Sequence, residues 1–426
     1  MKLTATGSGS YGRGAKLLSV GIASTGLVTF SYFALASHVL GEADYGQISL
    51  LWAVMFVIVS VIYRPIEQLL SREIAAGRGT GVTGVALRIQ GGFALVFVAA
   101  ALLLRGPIED GVFDGEASLY WILVAGVLFY AASYFARGWL AGHRRFGLYG
   151  GLVFMEATSR FLFALAVAVG IATGQNAVAL GMAAAPLVSL MVVPWAFSRR
   201  APAAAPARED DEQALALARG GRFAAAVLLV MLAEQTILNA AVLTAYGASG
   251  AAVAGFVFNA LLIARAPLQL FQAIQGSLLP HLSGLTATGA GEAEFRRAIR
   301  ITVLAIAGFA LAVAVGLLAL GPWAMDLLFD DEYTYARGGL ALVALGMGAH
   351  LVAGTLNQAA LARDHAMAAA GAWVVAAAAF VAWMLSPVVQ DPILRAESGY
   401  LGAAALLCAL LSVVYLRPPG RGAAKT

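Results

Sequence analysis

The run LLWAVMFVIVSVIYRPIEQLL, residues 50–70, decides the fold class. From Leu50 to Tyr63 it contains no charged residue. A helix of about 20 such residues, rising about 1.5 Å per residue, crosses a hydrocarbon core about 30 Å thick. Barrel strands would instead show segments of about 10 residues with alternating polarity. The same run then carries Arg64, Pro65 and Glu67. A charge at a helix centre costs roughly 2.5–3.5 kcal/mol on insertion scales. Such residues persist where they face protein, water or one another.

The pattern recurs along the chain. Of 426 residues, 61% are hydrophobic and 12% charged, against about 25% charged in soluble domains. Mean hydropathy is +0.83. Twelve apolar runs cover roughly 17–40, 47–70, 84–104, 118–141, 148–170, 177–197, 223–245, 252–274, 299–321, 338–361, 366–386 and 397–416. The expected fold is an all-α polytopic membrane protein of about 12 transmembrane helices. The single cysteine, Cys408, excludes an internal disulfide and a cysteine-rich metal site. The net charge of +4 does not imply nucleic acid, because the basic residues flank apolar runs. Their alternation along the connections places both termini in the cytoplasm by the positive-inside rule. Arg13, Lys16 and Ala34-Leu35-Ala36 resemble a signal peptide. The apolar stretch exceeds the 7–15 residues of a secretory core, so an uncleaved first helix is expected.

The hydrophilic segment from Ser198 to Arg222 divides the helices six and six. The expected organisation is an N-terminal bundle over 1–197, a cytoplasmic linker over 198–222 and a C-terminal bundle over 223–426. Phe113-Asp114-Gly115-Glu116 and Phe329-Asp330-Asp331-Glu332 precede the fourth and tenth helices. Arg64-Pro65 and Arg265-Ala266-Pro267 fall in the second and eighth. These pairs imply duplication. Six helices per unit give a parallel repeat with a pseudo-two-fold axis along the membrane normal.

Six charges inside the runs are candidate functional residues: Arg64, Glu67, Glu156, Arg160, Glu234 and Arg265. Arg64 and Arg265 lie beside prolines, which remove a backbone donor and kink helices. Arginine keeps its charge and grips phosphate bidentately, so both are candidates for an anionic substrate. Alternatively, Arg265 pairs with Glu234, and Arg64 snorkels to the cytoplasmic face. Glu156 and Arg160 stand four apart and share a helix face, so they either neutralise each other or face a polar cavity. Glu234 is a candidate for H⁺ or Na⁺ coupling, or a counter-ion. Gln235, Asn239, Asn259 and Asn357 are candidate cavity amides, and His350 with Asn357 equally suits interhelical hydrogen bonding. Pro65, Pro267 and Pro280 are candidate hinges. Gly7 to Gly12 matches G-x-G-x-x-G but follows no strand and falls in a terminus expected to be flexible. No Walker A or H-E-x-x-H sequence occurs, and neither an enzyme nor a bound cofactor or metal is expected.

The segments LGEADYGQISL (40–50), RGWLAGHRRFG (137–147), QGSLLPHLSGL followed by EAEFRRAIR (275–300) and LLFDDEYTYA (327–336) resemble a Wzx-type oligosaccharide flippase. That family belongs to the multidrug/oligosaccharidyl-lipid/polysaccharide (MOP) superfamily. The resemblance implies two six-helix bundles forming a V, alternating access, and a polyprenyl-diphosphate-linked oligosaccharide as cargo. It implies a bacterial cytoplasmic membrane, with lipids and polysaccharide polymerase machinery as partners. Related lipid II flippases use arginines in the second and eighth helices, where Arg64 and Arg265 stand. On this resemblance Arg64 and Arg265 attract the diphosphate; as charges within the apolar runs, Arg160 is a further candidate for that contact, and Glu156 and Glu234 for ion coupling or charge balance. A cation-coupled multidrug exporter and an integral-membrane glycosyltransferase remain the alternatives.

Overall fold

A computed structural model describes residues 6–75, 79–143, 145–192, 213–287, 292–329, 335–363 and 365–417. Every regular element among them is helical. α1 (Thr6–Val39) begins well before the expected position 17, so Gly7 to Gly12 is helical rather than a loose terminus. The second run forms two helices, α2 (Glu42–Ile62) and α3 (Arg64–Ala75). Tyr63 separates them because Pro65 has no N–H to donate to the Val61 carbonyl. Hydrogen bonds from Tyr63 N to Val59 O (2.9 Å) and from Glu67 N to Tyr63 O (3.0 Å) bridge the break.

The first unit continues through α4 (Gly79–Leu103), the short α5 (Arg105–Val112), α6 (Ala117–Gly142), α7 (Phe146–Ala168) and α8 (Gly174–Ser189). A 3₁₀ turn, Leu190–Val192, extends α8. Residues 193–212, including most of the expected linker, lie outside the described residues. The backbone is helical from Gln213, not from position 223. Ala, Leu, Gln and Arg dominate QALALAR and are strong helix formers whatever their hydropathy. The helical run Gln213–Ala287 breaks at Gly250, with φ 84° and ψ −177°. That backbone conformation is open to glycine and strained for other residues. It separates α9 (213–249) from α10 (251–287). α11 (Glu292–Leu328), α12 (Arg337–Ala362), α13 (Ala366–Leu385) and α14 (Pro392–Tyr415) complete the chain.

Nine segments of the described residues are long and apolar enough to cross a membrane. α1, the 16-residue α8 and the division at Gly250 account for the rest of the twelve expected crossings. The chain is a multi-pass membrane protein. It divides into two compact units, Met1–Gln213 and Ala214–Thr426.

The units repeat each other element by element. α6 and α12 are each 26 residues long, and their bounds differ by 220 positions at both ends. α6 and α7 both pack on α8; α12 and α13 both pack on α14. The third crossing of each unit is peripheral, with only 17% of its apolar window buried in both cases. Phe113 and Phe329 of the repeated F-D-x-E sequence are both fully buried. In the first copy Asp114 (φ 51°) and Gly115 (φ 84°) turn the chain. Gln47 Nε2 donates to Asp114 Oδ2 at 3.1 Å, tying that turn to α2. In the second copy residues 330–334 lie outside the described residues.

α3 docks on α6 through two glycines four residues apart. A Cβ on Gly138 would stand 2.7 Å from the Glu67 carbonyl oxygen and 3.0 Å from its Cα. One on Gly142 would stand 2.6 Å from Ile74 Cβ. Small residues at this spacing let membrane helices approach closely. Because the Gly138 neighbour is backbone, it cannot rotate aside. Gly138→Ala is expected to destabilise the unit by about 1–3 kcal/mol and lower its melting temperature in detergent. Gly151→Ala, whose Cβ would meet nothing within 4 Å, should leave that temperature unchanged.

Candidate functional site

The first unit buries a cluster of charges among α1, α2, α3, α6, α7 and α8. Glu156 and Arg160 occupy one face of α7, and both are nearly inaccessible, at 2% and 3%. They do not pair with each other, which corrects the mutual neutralisation considered from their spacing. Glu156 accepts instead from Arg137 Nη2 and the Ser133 hydroxyl on α6. The Ser189 hydroxyl at the end of α8 lies 3.3 Å from Glu156 Oε1 and shares its one proton between that oxygen and the Pro186 carbonyl at 2.8 Å. Ser133 and Arg137 are themselves four apart on α6, so one helix face presents both donors. The Arg137 guanidinium lies 4.4 Å from the Tyr134 ring centroid.

Arg160 is held differently. Its Nη1 donates to Tyr130 Oη at 2.6 Å, and its Nη2 reaches Thr29 Oγ1 at 3.5 Å. The guanidinium lies 5.0 Å from the Trp52 ring centroid and 5.9 Å from that of Phe56. These two rings stack at 3.9 Å, and Phe56 meets Tyr130 edge-on at 5.6 Å. Arg160 Nε has no hydrogen-bond partner. Among the described residues Arg160 forms no ion pair with a carboxylate. Cation–π contacts and neutral hydroxyls stabilise a guanidinium but leave its charge uncompensated.

Arg64 and Glu67 stand at the start of α3, both partly buried. Glu67 accepts from Tyr149 Oη at 2.8 Å. It lies within electrostatic reach of Arg137, Arg64 and Glu156. The cluster thus sets three arginines, at 64, 137 and 160, against two glutamates, at 67 and 156. Its excess is positive.

The second unit holds a smaller polar set. Glu234 Oε1 on α9 lies 4.0 Å from His350 Nε2 on α12. Tyr400 Oη on α14 lies 3.4 Å from His350 Nδ1. Asn239 Nδ2 donates to the Gln235 carbonyl at 3.0 Å and to its Oε1 at 3.2 Å. Trp373 Nε1 donates to Asn357 Oδ1 at 3.2 Å, a link between α12 and α13. Asn259 is fully buried in α10. Arg265, Pro267 and Pro280 fall within α10, but their side chains lie outside the described residues, as does the expected Arg265–Glu234 pair.

Sequence reasoning missed Arg137 and Glu397. Arg137 stood in the RGWLAGHRRFG segment that carries the resemblance and was not among the six charges singled out inside the runs. Its position five residues before Gly142 and its spacing from Ser133 were the available signals. Glu397 stood at the edge of the last apolar run. α14 begins at Pro392, capped by Asp391 Oδ1, so Glu397 lies inside the helix and is buried. Its carboxyl packs on Gly339 of α12. Among the described residues no group of three His, Cys, Asp or Glu is placed to hold a metal.

The sequence matches no protein-family model and no curated protein. Its fold is similar to solved transporters. An inward-facing multidrug resistance MATE family transporter of the MOP superfamily is 13% identical, with a TM-score of 0.65 over 94% of this chain and 96% of that one. The eukaryotic MATE transporter AtDTX14 is 12% identical, with a TM-score of 0.70 over 98% of both. A MOP superfamily transporter from Pyrococcus furiosus, described as having a binding pocket of reverse polarity, is 14% identical, with a TM-score of 0.63 over 95% and 94%. At these identities the likeness is one of fold: the chain has the all-α architecture of MOP superfamily transporters.

Arg137 and Arg160, the buried arginines of the first unit's described residues, should respond oppositely to removal of a neighbouring or own charge. Glu156→Leu strands Arg137 without its anion and is expected to destabilise by about 3–5 kcal/mol. Arg160→Met removes a charge that has no carboxylate partner and should be neutral or stabilising. Melting temperatures of the purified variants in detergent check both. A marked drop for Arg160→Met would show that its charge serves the bundle itself.

Proposed function

We propose that this protein is a flippase moving a polyprenyl-diphosphate-linked oligosaccharide across the bacterial cytoplasmic membrane by alternating access. Such a step serves cell-surface polysaccharide biosynthesis. The observation that carries the proposal is Arg160, a buried guanidinium answered by aromatic rings and hydroxyls but by no carboxylate among the described residues. An uncompensated charge in hydrocarbon is expensive, and an anionic ligand is one way to supply the missing partner. A diphosphate matches the guanidinium fork and its orphaned Nε. Arg64 adds to the positive excess of the same unit. With both termini cytoplasmic, an inside-negative potential favours anion export by about 2.3 kcal/mol per charge per 100 mV. Glu234, beside His350, is the residue proposed for any H⁺ or Na⁺ coupling.

A second reading, a multidrug exporter, is favoured by the fold neighbours described as multidrug resistance transporters. Cationic drugs fit the arginine-rich cluster less well than anions do.

Proteoliposomes containing a fluorescent, short-chain polyprenyl-diphosphate oligosaccharide separate the two. The wild-type protein should move the label between leaflets. Arg160→Ala should reduce the rate about 10- to 100-fold, given roughly 1.5–3 kcal/mol for hydrogen bonds to charged groups. Arg160→Lys should retain part of it. Undiminished transfer by Arg160→Ala would refute the role of Arg160. Ethidium efflux without glycan transfer would establish the second reading.

A further inference from the structure

We infer that Arg137 is a positioning residue: it holds the Glu156 carboxylate away from Arg160 and thereby keeps the Arg160 guanidinium available to an anionic group of the cargo. This rests on the proposed function, in which Arg160 meets the cargo diphosphate.

Glutamate and arginine four apart on one helix ordinarily pair with each other. On α7 they do not, and the neighbouring helices supply the reason. Glu156 Oε1 receives the hydroxyls of Ser133 and Ser189, while its Oε2 receives Arg137 Nη2. Both carboxylate oxygens are therefore engaged on the side of α6 and α8. Arg160 turns instead to Tyr130 and Thr29, over Trp52. Glu67, the other acid near Arg137, is occupied by Tyr149 at 2.8 Å. Among the described residues only Arg137 forms an ion pair with Glu156.

Removing Arg137 alters that choice. The two serines offer Glu156 neutral donors only, and the next cation on its own helix face is Arg160. A change of side-chain rotamer closes that pair. Arg160 would then be neutralised from within, and an incoming phosphate would have to displace a carboxylate. Arg137 thus controls the site without touching cargo. Its distinguishing signature is dependence on the charge of Glu156: abolish that charge, and Arg137 becomes dispensable.

The test measures the half-saturating concentration of the same fluorescent diphosphate-linked lipid in proteoliposomes. Arg137→Met should raise it about tenfold or more. Arg137→Met combined with Glu156→Gln should return it to within about twofold of wild type, because an amide cannot neutralise Arg160. Arg137→Lys should preserve it. If Arg137→Met alone fails to fold, the double variant still decides, since it buries no unpaired charge at either position. A double variant that folds but stays impaired, or that does not fold at all, overturns the inference. Arg160→Met separates this from failure of the functional proposal. Loss of transport in Arg160→Met without rescue in the double variant rejects only the role of Arg137. Normal transport by Arg160→Met rejects the contact of Arg160 with the cargo on which the inference rests, and no transport by the wild-type protein rejects the proposed function itself.

Discussion

Hydrocarbon does not solvate charge, and the organisation of this protein follows from that constraint. Apolar side chains cover its peripheral helices, as on α4 and α11, where Leu103 and Leu304 are 83% and 60% exposed. Charges are withdrawn into the units and answered there. Arg137 and Glu156 form a pair closed by two serines. Arg363 is stacked 4.7 Å from both the Phe295 and Tyr415 rings, and its Nη1 donates to the Tyr415 carbonyl. Arg160 is likewise held by rings and neutral polar groups. It is as deeply buried as Glu156, yet its partners are neutral.

The surroundings of Arg160 depend on local backbone choices. Pro65 ends α2 at Ile62, with Tyr63 between that end and Arg64, where α3 starts. Gly138 and Gly142 let α3 lie directly on α6, and Glu67 of α3 accepts from Tyr149 of α7. Glu67 and Glu156 both lie within electrostatic reach of Arg137, and it is Glu156 that accepts its Nη2 hydrogen bond. Helix packing therefore decides which carboxylate meets which arginine, and through that which arginine lacks one.

Much of the fold was legible in the sequence because membrane-spanning helices have a strong, local signal. Run length gave helices rather than strands, and the repeated Phe113 and Phe329 sequences marked the duplication that α6 and α12 display in their equal lengths. Boundaries were less legible. Hydropathy does not report where a helix continues beyond the hydrocarbon, as at Thr6 and Gln213. The candidate site was only half legible. Glu156 and Arg160 stood out as charges in an apolar run, but their i,i+4 spacing pointed to a pair. The competing donors, Ser133, Arg137 and Ser189, come from α6 and α8, and no local pattern reveals that arrangement. The Tyr130, Trp52 and Phe56 surroundings of Arg160 looked like ordinary apolar residues until packing placed them around a cation.

The central claim is that an anionic headgroup binds at Arg160. Trp52 reports on it directly, because its ring centroid lies 5.0 Å from the Arg160 guanidinium. Purified protein in detergent should be titrated with a short-chain polyprenyl diphosphate while tryptophan fluorescence is followed. The account predicts a saturable change that disappears in both Trp52→Phe and Arg160→Met. A change of equal size in either variant, or none in the wild-type protein at saturating lipid, would contradict it.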